Sequence, residues 1–215
     1  MEKRTMDLLL ENGIIAIARG IYGEDLLNAV GALVDGGVRA VEVTFDQRLD
    51  GAETFNSIKR IKEVFGDELT IGAGTVLTAE QLHLAHAAGA EYIVSPNTNE
   101  SIIRGTKRLG LISVPGAMTP SEIADAAFFG ADIVKVFPAG SLGAEYFAAV
   151  TTPLSHIKCA AVGGVTLNNL ASFKRAGACA FGISSSLFNR DLIKKGDFDS
   201  ITTIASSFVC ASRNE

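Results

Sequence analysis

What most constrains this chain is a repeated alternation of short apolar, β-branched runs with longer helical segments. The runs are Ile14–Ala18, Ala40–Phe45, Leu69–Gly74, Glu91–Ser95, Leu111–Val114, Ile133–Phe137, Ile157–Val162 and Cys179–Ile183. Each has the length of a strand and is too short for a stable helix. Helical stretches follow them, among them Glu24–Asp35, Ala52–Val64, Ala79–Ala88, Ser121–Phe129 and Leu167–Arg175. Glycine marks the return to the next strand at Gly36-Gly37, Gly89, Gly110, Gly130 and Gly177, as expected where a helix ends on a left-handed residue. Thr78, Thr119-Pro120-Ser121-Glu122 and Thr166 offer N-terminal caps in the same phase. Eight βα units in succession predict an α/β fold, a (β/α)8 TIM barrel forming a single domain over residues 1–215. A short amphipathic helix within Met1–Asn12 precedes it. The competing arrangement, an open doubly wound sheet, usually carries a glycine-rich dinucleotide loop after its first strand, and Ile17-Ala18-Arg19-Gly20 is no GxGxxG.

Composition removes several function classes. The 47% hydrophobic content argues against disorder, yet no apolar run has the length of a membrane span. The N-terminal segment lacks the apolar stretch and cleavage site of a secretory signal. A net charge of −5 without a Lys/Arg cluster gives no sign of nucleic-acid binding. Cys159, Cys179 and Cys210 form neither a CxxC pair nor a disulfide framework, which fits a cytoplasmic protein. His83 and His86 share a helical face, but no neighbouring carboxylate or cysteine completes a metal site, so no metal and no cofactor are expected.

A barrel builds its site at the C-terminal ends of its strands. The unexpected polar residues collect there: Arg19, Glu42, Thr44, Thr75, Ser95, Lys135 and Ser185. Period-2 alternation points Val41, Val43, Val134 and Val136 outward and leaves Glu42, Thr44, Ile133, Lys135 and Phe137 facing the lumen. Lysine is almost never buried unless paired or functional. Desolvation favours its neutral amine, the form that attacks a carbonyl to make a Schiff base. The plain alternative for Lys135 is a stem that packs while its ammonium snorkels to water. Glu42 poses the same question, since a buried carboxylate costs several kcal/mol unless paired or protonated. It either fills the barrel as an ion pair with Lys135 or moves the protons that Schiff-base chemistry requires. Two glycine-rich segments, Val162-Gly163-Gly164-Val165 and Phe181-Gly182-Ile183-Ser184-Ser185-Ser186, follow the seventh strand and end the eighth. They are either tight turns or the backbone N–H cradle for a phosphate that barrels usually place there.

In order along nearly the whole chain come Ala16-Ile17-Ala18-Arg19, Val41-Glu42-Val43-Thr44, Ile71-Gly72-Ala73-Gly74-Thr75-Val76, Val94-Ser95-Pro96 and Val114-Pro115-Gly116. Val134-Lys135-Val136-Phe137-Pro138-Ala139 and Val162-Gly163-Gly164-Val165 complete the series. With these landmarks the sequence resembles the 2-keto-3-deoxy-6-phosphogluconate (KDPG) aldolase and 4-hydroxy-2-oxoglutarate (KHG) aldolase family. The resemblance implies a metal-free class I lyase releasing pyruvate and an aldehyde from a phosphorylated keto acid. It implies that Lys135 forms the imine, Glu42 is the general acid/base and Thr75 helps bind the pyruvyl carboxylate. Gly163, Gly164, Ser184 and Ser185 would hold the phosphate, and Pro96 and Phe137 would line the pocket. A homotrimer is implied by the same resemblance.

Two departures bear on the expectation. Some relatives carry an arginine four residues after the glutamate, where this chain has Asp46; others carry it at the end of the first strand, as Arg19 is here. Arg19 therefore receives the carboxylate-binding role, with Arg48 as the alternative. Val162 stands where many gluconate-type enzymes have threonine, whereas the 2-keto-3-deoxy-6-phosphogalactonate relatives look like this chain there, which leaves the substrate's C4 epimer open. Ser184 replaces a common glycine and keeps its backbone donor. The competing readings are a phosphosugar isomerase or epimerase on the same barrel, with Glu42 as base, and a phospho-metabolite binding protein without activity. Lys135 discriminates against the first, and Lys135, Glu42 and Arg19 together against the second.

Overall fold

A computed structural model describes residues 2–11 and 13–213; Met1 and Asn12, the ends of the expected N-terminal segment, lie outside the described residues. The apolar runs form parallel strands β1 (Ile14–Ala18), β2 (Ala40–Thr44), β3 (Thr70–Gly74), β4 (Tyr92–Val94), β5 (Ile112–Val114), β6 (Gly116–Ala117), β7 (Val134–Val136), β8 (Cys159–Val162) and β9 (Ala180–Ile183). Their order is β5-β4-β3-β2-β1-β9-β8-β7-β6. The two ends of that row are separated in the chain by Pro115 alone. Proline has no N–H to give the ladder, so the fifth barrel strand is broken into β5 and β6 and runs on to Ala117, beyond the expected end at Val114. Hydrogen bonds still cross the seam, from Lys135 N–H to the Pro115 carbonyl at 2.8 Å and from Ile133 N–H to the Ser113 carbonyl at 3.3 Å. The result is a (β/α)8 barrel.

The helices are α1 (Glu2–Glu11), α2 (Gly23–Asp35), α3 (Ala52–Phe65), α4 (Ala79–Ala87), α5 (Glu100–Arg108), α6 (Pro120–Phe129), α7 (Ala139–Thr151), α8 (Leu167–Arg175), α9 (Arg190–Lys195) and α10 (Phe198–Arg213). Their starts follow the capping residues: Thr78 accepts the Gln81 N–H, and Thr119 and Glu122 close a reciprocal capping box ahead of Pro120. The last strands are shorter than their apolar runs. Ile157 turns back to the Leu154 carbonyl before β8, and Cys179 sits one residue ahead of β9.

Strand alternation sorts the core into two layers. Val41, Val43, Val134 and Val136 pack outward against the helices. Ile15, Ile17, Ala40, Tyr92, Val94, Ile112, Val114, Ile133, Ala160, Val162 and Ala180 fill the lumen. Leu9 of α1 joins that inner layer, with Met6 and Leu10 packed against it, so α1 plugs the N-terminal end of the barrel. Buried Glu91 anchors the plug by accepting from Arg4 of α1 at 3.3 Å, from Thr70 Oγ1 at 2.6 Å and from Lys62. With α1 packed on that end, the C-terminal ends of the strands are the open end of the lumen among the described residues.

Candidate active site

Glu42 lies mid-way along β2 and faces inward, 2% exposed. The ladder sets Gly72 of β3 opposite it and Gly74 opposite Thr44. Glycine at 74 makes the room Glu42 needs: a Cβ there would fall 1.7 Å from Glu42 Oε1 and 2.5 Å from Cδ. Lys135, 6% exposed, projects from β7 between small ladder partners, Gly116 and Ala160. Those neighbours leave space for its long stem inside the lumen. Its Nζ stands 5.0 Å from the Phe137 ring centroid, a cation–π distance, and Phe137 is 38% exposed at the barrel mouth.

No described ion pair within 4.0 Å joins Glu42 to Lys135, so the pair is not a closed salt bridge filling the barrel. The two act on each other electrostatically across the lumen. Burial pushes the Glu42 carboxyl up from its ordinary value, opposed by the charges of Lys135 and Arg19. Burial pushes the Lys135 amine down, opposed by Glu42 and reinforced by Arg19. Both groups are thus driven toward their neutral forms: an amine able to attack a carbonyl beside a carboxyl able to hold and pass a proton. The two thiols in and beside the strands offer no rival nucleophile near neutrality, since burial raises Cys159 to about 12 and Cys179 to about 11.

Above this pair the mouth carries two clefts that share Arg19 and Arg190. One, of about 420 Å³, is lined by Arg19, Thr44, Asp46, Arg48, Thr75 and Arg190 among others. Thr75 has φ 58°, the one positive value among described non-glycine residues. A β-branched side chain held there is a genuine backbone outlier of the kind that clusters at functional sites. Arg48, which lines the same cleft, is bound to Asp46 Oδ2 at 2.6 Å with its side chain 87% exposed. Among the described residues Arg19 makes no such pair, and it is the arginine that acts electrostatically on both Glu42 and Lys135.

The second cleft, of about 390 Å³, is lined by Arg19, Ser184, Ser185, Asn189, Arg190 and Asp191 among others. Ser184 Oγ donates to the Ile17 carbonyl at 3.1 Å, which ties the β9 loop to β1. Gly163 and Gly164 both take positive φ, 86° and 76°. A side chain at Gly163 would also meet the Phe137 ring at 2.9 Å. The backbone N–H groups of Gly163, Gly164 and Ser185 donate to nothing among the described residues, leaving donors for an anion. Pro96, after β4, is held against the backbone of Gly116, where a Cβ would come within 2.4 Å of it.

Residues 6–204 match the KDPG and KHG aldolase family. The chain belongs to this family. Among relatives, the 2-dehydro-3-deoxy-6-phosphogalactonate aldolase of Escherichia coli K12 is 39% identical over 176 residues, 81% of this chain and 84% of that protein. The 2-dehydro-3-deoxy-phosphogluconate aldolase of Treponema pallidum is 37% identical over 186 residues, 85% of each chain. The KDPG aldolase of Legionella pneumophila, solved with pyruvate captured at low pH as a covalent carbinolamine intermediate, aligns with a TM-score of 0.80 at 25% identity. That alignment covers 93% of this chain and 95% of the other. Sequence reasoning about this aldolase missed three residues of the site region: Gly74, Tyr92 and Arg190. Arg190 carries no local signal, because only the folded loops bring it over Arg19, whose carbonyl it bonds at 3.1 Å.

Proposed function

We propose that this aldolase reversibly cleaves a 2-keto-3-deoxy-6-phospho sugar acid to pyruvate and glyceraldehyde 3-phosphate through a Schiff base on Lys135. The gluconate-derived acid is the main substrate, the galactonate-derived epimer is the alternative, and 4-hydroxy-2-oxoglutarate is a second substrate giving pyruvate and glyoxylate. The reading rests above all on one observation: Lys135 and Glu42 are both buried and face one desolvated lumen.

The chemistry follows from their displaced protonation. The neutral Lys135 amine adds to the C2 ketone, and the carbinolamine loses water, with Glu42 supplying the proton that lets hydroxide leave. Glu42, now a carboxylate, takes the proton of the C4 hydroxyl. The C3–C4 bond breaks, its electron pair moves through C2 onto the iminium nitrogen, and the aldehyde departs. The enamine gains a proton at C3 from Glu42, and water then releases pyruvate and restores the amine. Arg19 clamps the pyruvyl carboxylate with Thr75, in a fork geometry that suits two parallel hydrogen bonds. The free amides around Gly163, Gly164 and Ser185, with Ser184, hold the phosphate, while Phe137 and Pro96 wall the chamber. An isomerase or epimerase would need no carbonyl-attacking lysine.

No helix among the described residues is long and apolar enough to cross a membrane; we infer a cytoplasmic homotrimer from the family resemblance, and light scattering tests the trimer. For the activity, pyruvate release is measured from both phosphorylated epimers and from 4-hydroxy-2-oxoglutarate. Turnover of at least one phosphorylated acid is expected, and failure with all three substrates would end the proposal.

A further inference from the structure

Across three neighbouring strands the inner face reads Glu42, Gly72, Tyr92, each opposite the next in the ladder. The missing side chain at Gly72 is filled by the Tyr92 ring, whose atoms would lie 2.3–2.5 Å from a Cβ placed there. The ring therefore crosses β3 toward the strand that carries Glu42. Tyr92 is fully buried. Its hydroxyl is the one described side-chain polar atom that is sealed from solvent and has no hydrogen-bond partner. Burying a hydroxyl without a partner is unfavourable, so a lumen that merely needed filling would be better served by phenylalanine.

We propose that Tyr92 is a positioning residue for Glu42, its phenol O–H donating to the Glu42 carboxylate directly on a small rotation of that group or through one intervening water. The inference rests on the proposed acid/base role of Glu42 and deepens it. Two further facts support it. Burial, then the charges of Glu42 and Glu91, hold the phenol well above its ordinary titration range, so it stays protonated and is a permanent donor. The Glu42 carboxyl accepts no hydrogen bond within the described residues, so it has acceptor capacity to spare. The charged groups around the pair are Lys135 from β7, Arg19 after β1 and Glu91 before β4. Glu91 is already satisfied by Arg4, Lys62 and Thr70, which leaves Glu42 as the acceptor.

A donor to the carboxylate stabilises its charged form and so offsets part of the burial that raises it. Removing the hydroxyl therefore shifts the Glu42 titration upward, by about one pH unit for one hydrogen bond to a charged group. The base-competent fraction at a given acidic pH then falls about tenfold. The test is infrared titration of the protonated Glu42 carboxyl, assigned by its loss in Glu42→Gln, in wild type and Tyr92→Phe, with the kcat–pH profile alongside. An upward shift in Tyr92→Phe of both the infrared midpoint and the acid limb, with thermal stability kept, supports the proposal. An unshifted infrared midpoint overturns it and leaves Tyr92 as lumen packing. A shifted midpoint in a protein without aldolase turnover supports the contact while ending the proposed activity. Should Tyr92→Phe fail to fold, the tyrosine C–O stretch of the wild type serves instead: it must move as Glu42 titrates, and a static band overturns the proposal.

Discussion

Gly74→Ala tests how finely the fold positions Glu42, the proposed proton-transfer group. No positive φ is required at this residue, so alanine brings no backbone strain. It brings a collision, since the new methyl would lie 1.7 Å from Glu42 Oε1. Real Cβ contacts stay at or above 3.0 Å, so the carboxyl oxygen or β3 must retreat by about 1.3 Å. Glu42 is 2% exposed and cannot swing freely into solvent. Overpacking of this kind costs about 1–3 kcal/mol of stability, and an ångström of misplacement at a reacting group costs about 10²-fold in rate. The assay is kcat from coupled pyruvate release, with thermal unfolding run on the same samples. Gly74→Ala should fold, lose about 10²-fold in kcat, and cost little more when it is added to Glu42→Gln, because both changes disable one group. A folded Gly74→Ala enzyme within about threefold of wild type would refute the argument that this glycine positions Glu42.

Three other outcomes follow from the site. Glu42→Gln keeps shape but cannot shuttle a proton, so kcat should fall by about 10²–10⁴. It also removes the anion that holds the Lys135 amine up. The Lys135 titration should move lower still, and the pH limb for imine formation with pyruvate should shift to lower pH; an upward shift contradicts the electrostatic picture. Arg19→Lys should weaken pyruvate binding markedly and Arg48→Lys should do little, with the reverse ranking in binding assays moving the carboxylate role to Arg48. Val162, packed against Gly182 in the lumen layer, offers no hydrogen bond. Val162→Thr should move the epimer ratio of kcat/KM several-fold toward the gluconate form, a change of about 0.5–1.5 kcal/mol, and an unmoved ratio removes this residue from stereocontrol.

Strand periodicity carried most of the architecture because a strand buried on both faces must be short, apolar and β-branched. The same parity separated Val134 and Val136 from Lys135 and Val41 from Glu42, and the two core layers divide along that line. The break at Pro115 was less legible. Proline plainly cannot donate to the ladder, but only the tertiary seam reveals that Gly116 and Ala117 resume the strand against β7. Glu42 and Lys135 stood out because charge inside an apolar strand is costly. Gly74 and Gly72 did not, because the reason for a missing side chain lies on neighbouring strands. Tyr92 looked like any aromatic strand residue until its hydroxyl proved to have no partner. The clefts around Arg19 and Arg190 are assembled by loops distant in sequence, which no local pattern encodes.

The central claim is that Lys135 is the carbonyl-attacking amine. Incubating the protein with pyruvate and borohydride, then mapping the modified peptide by mass spectrometry, tests it most directly. The account predicts a reduced pyruvate adduct on Lys135, absent from Lys135→Ala, which should also lose turnover. An adduct on exposed Lys158, or undiminished turnover by Lys135→Ala, would contradict it.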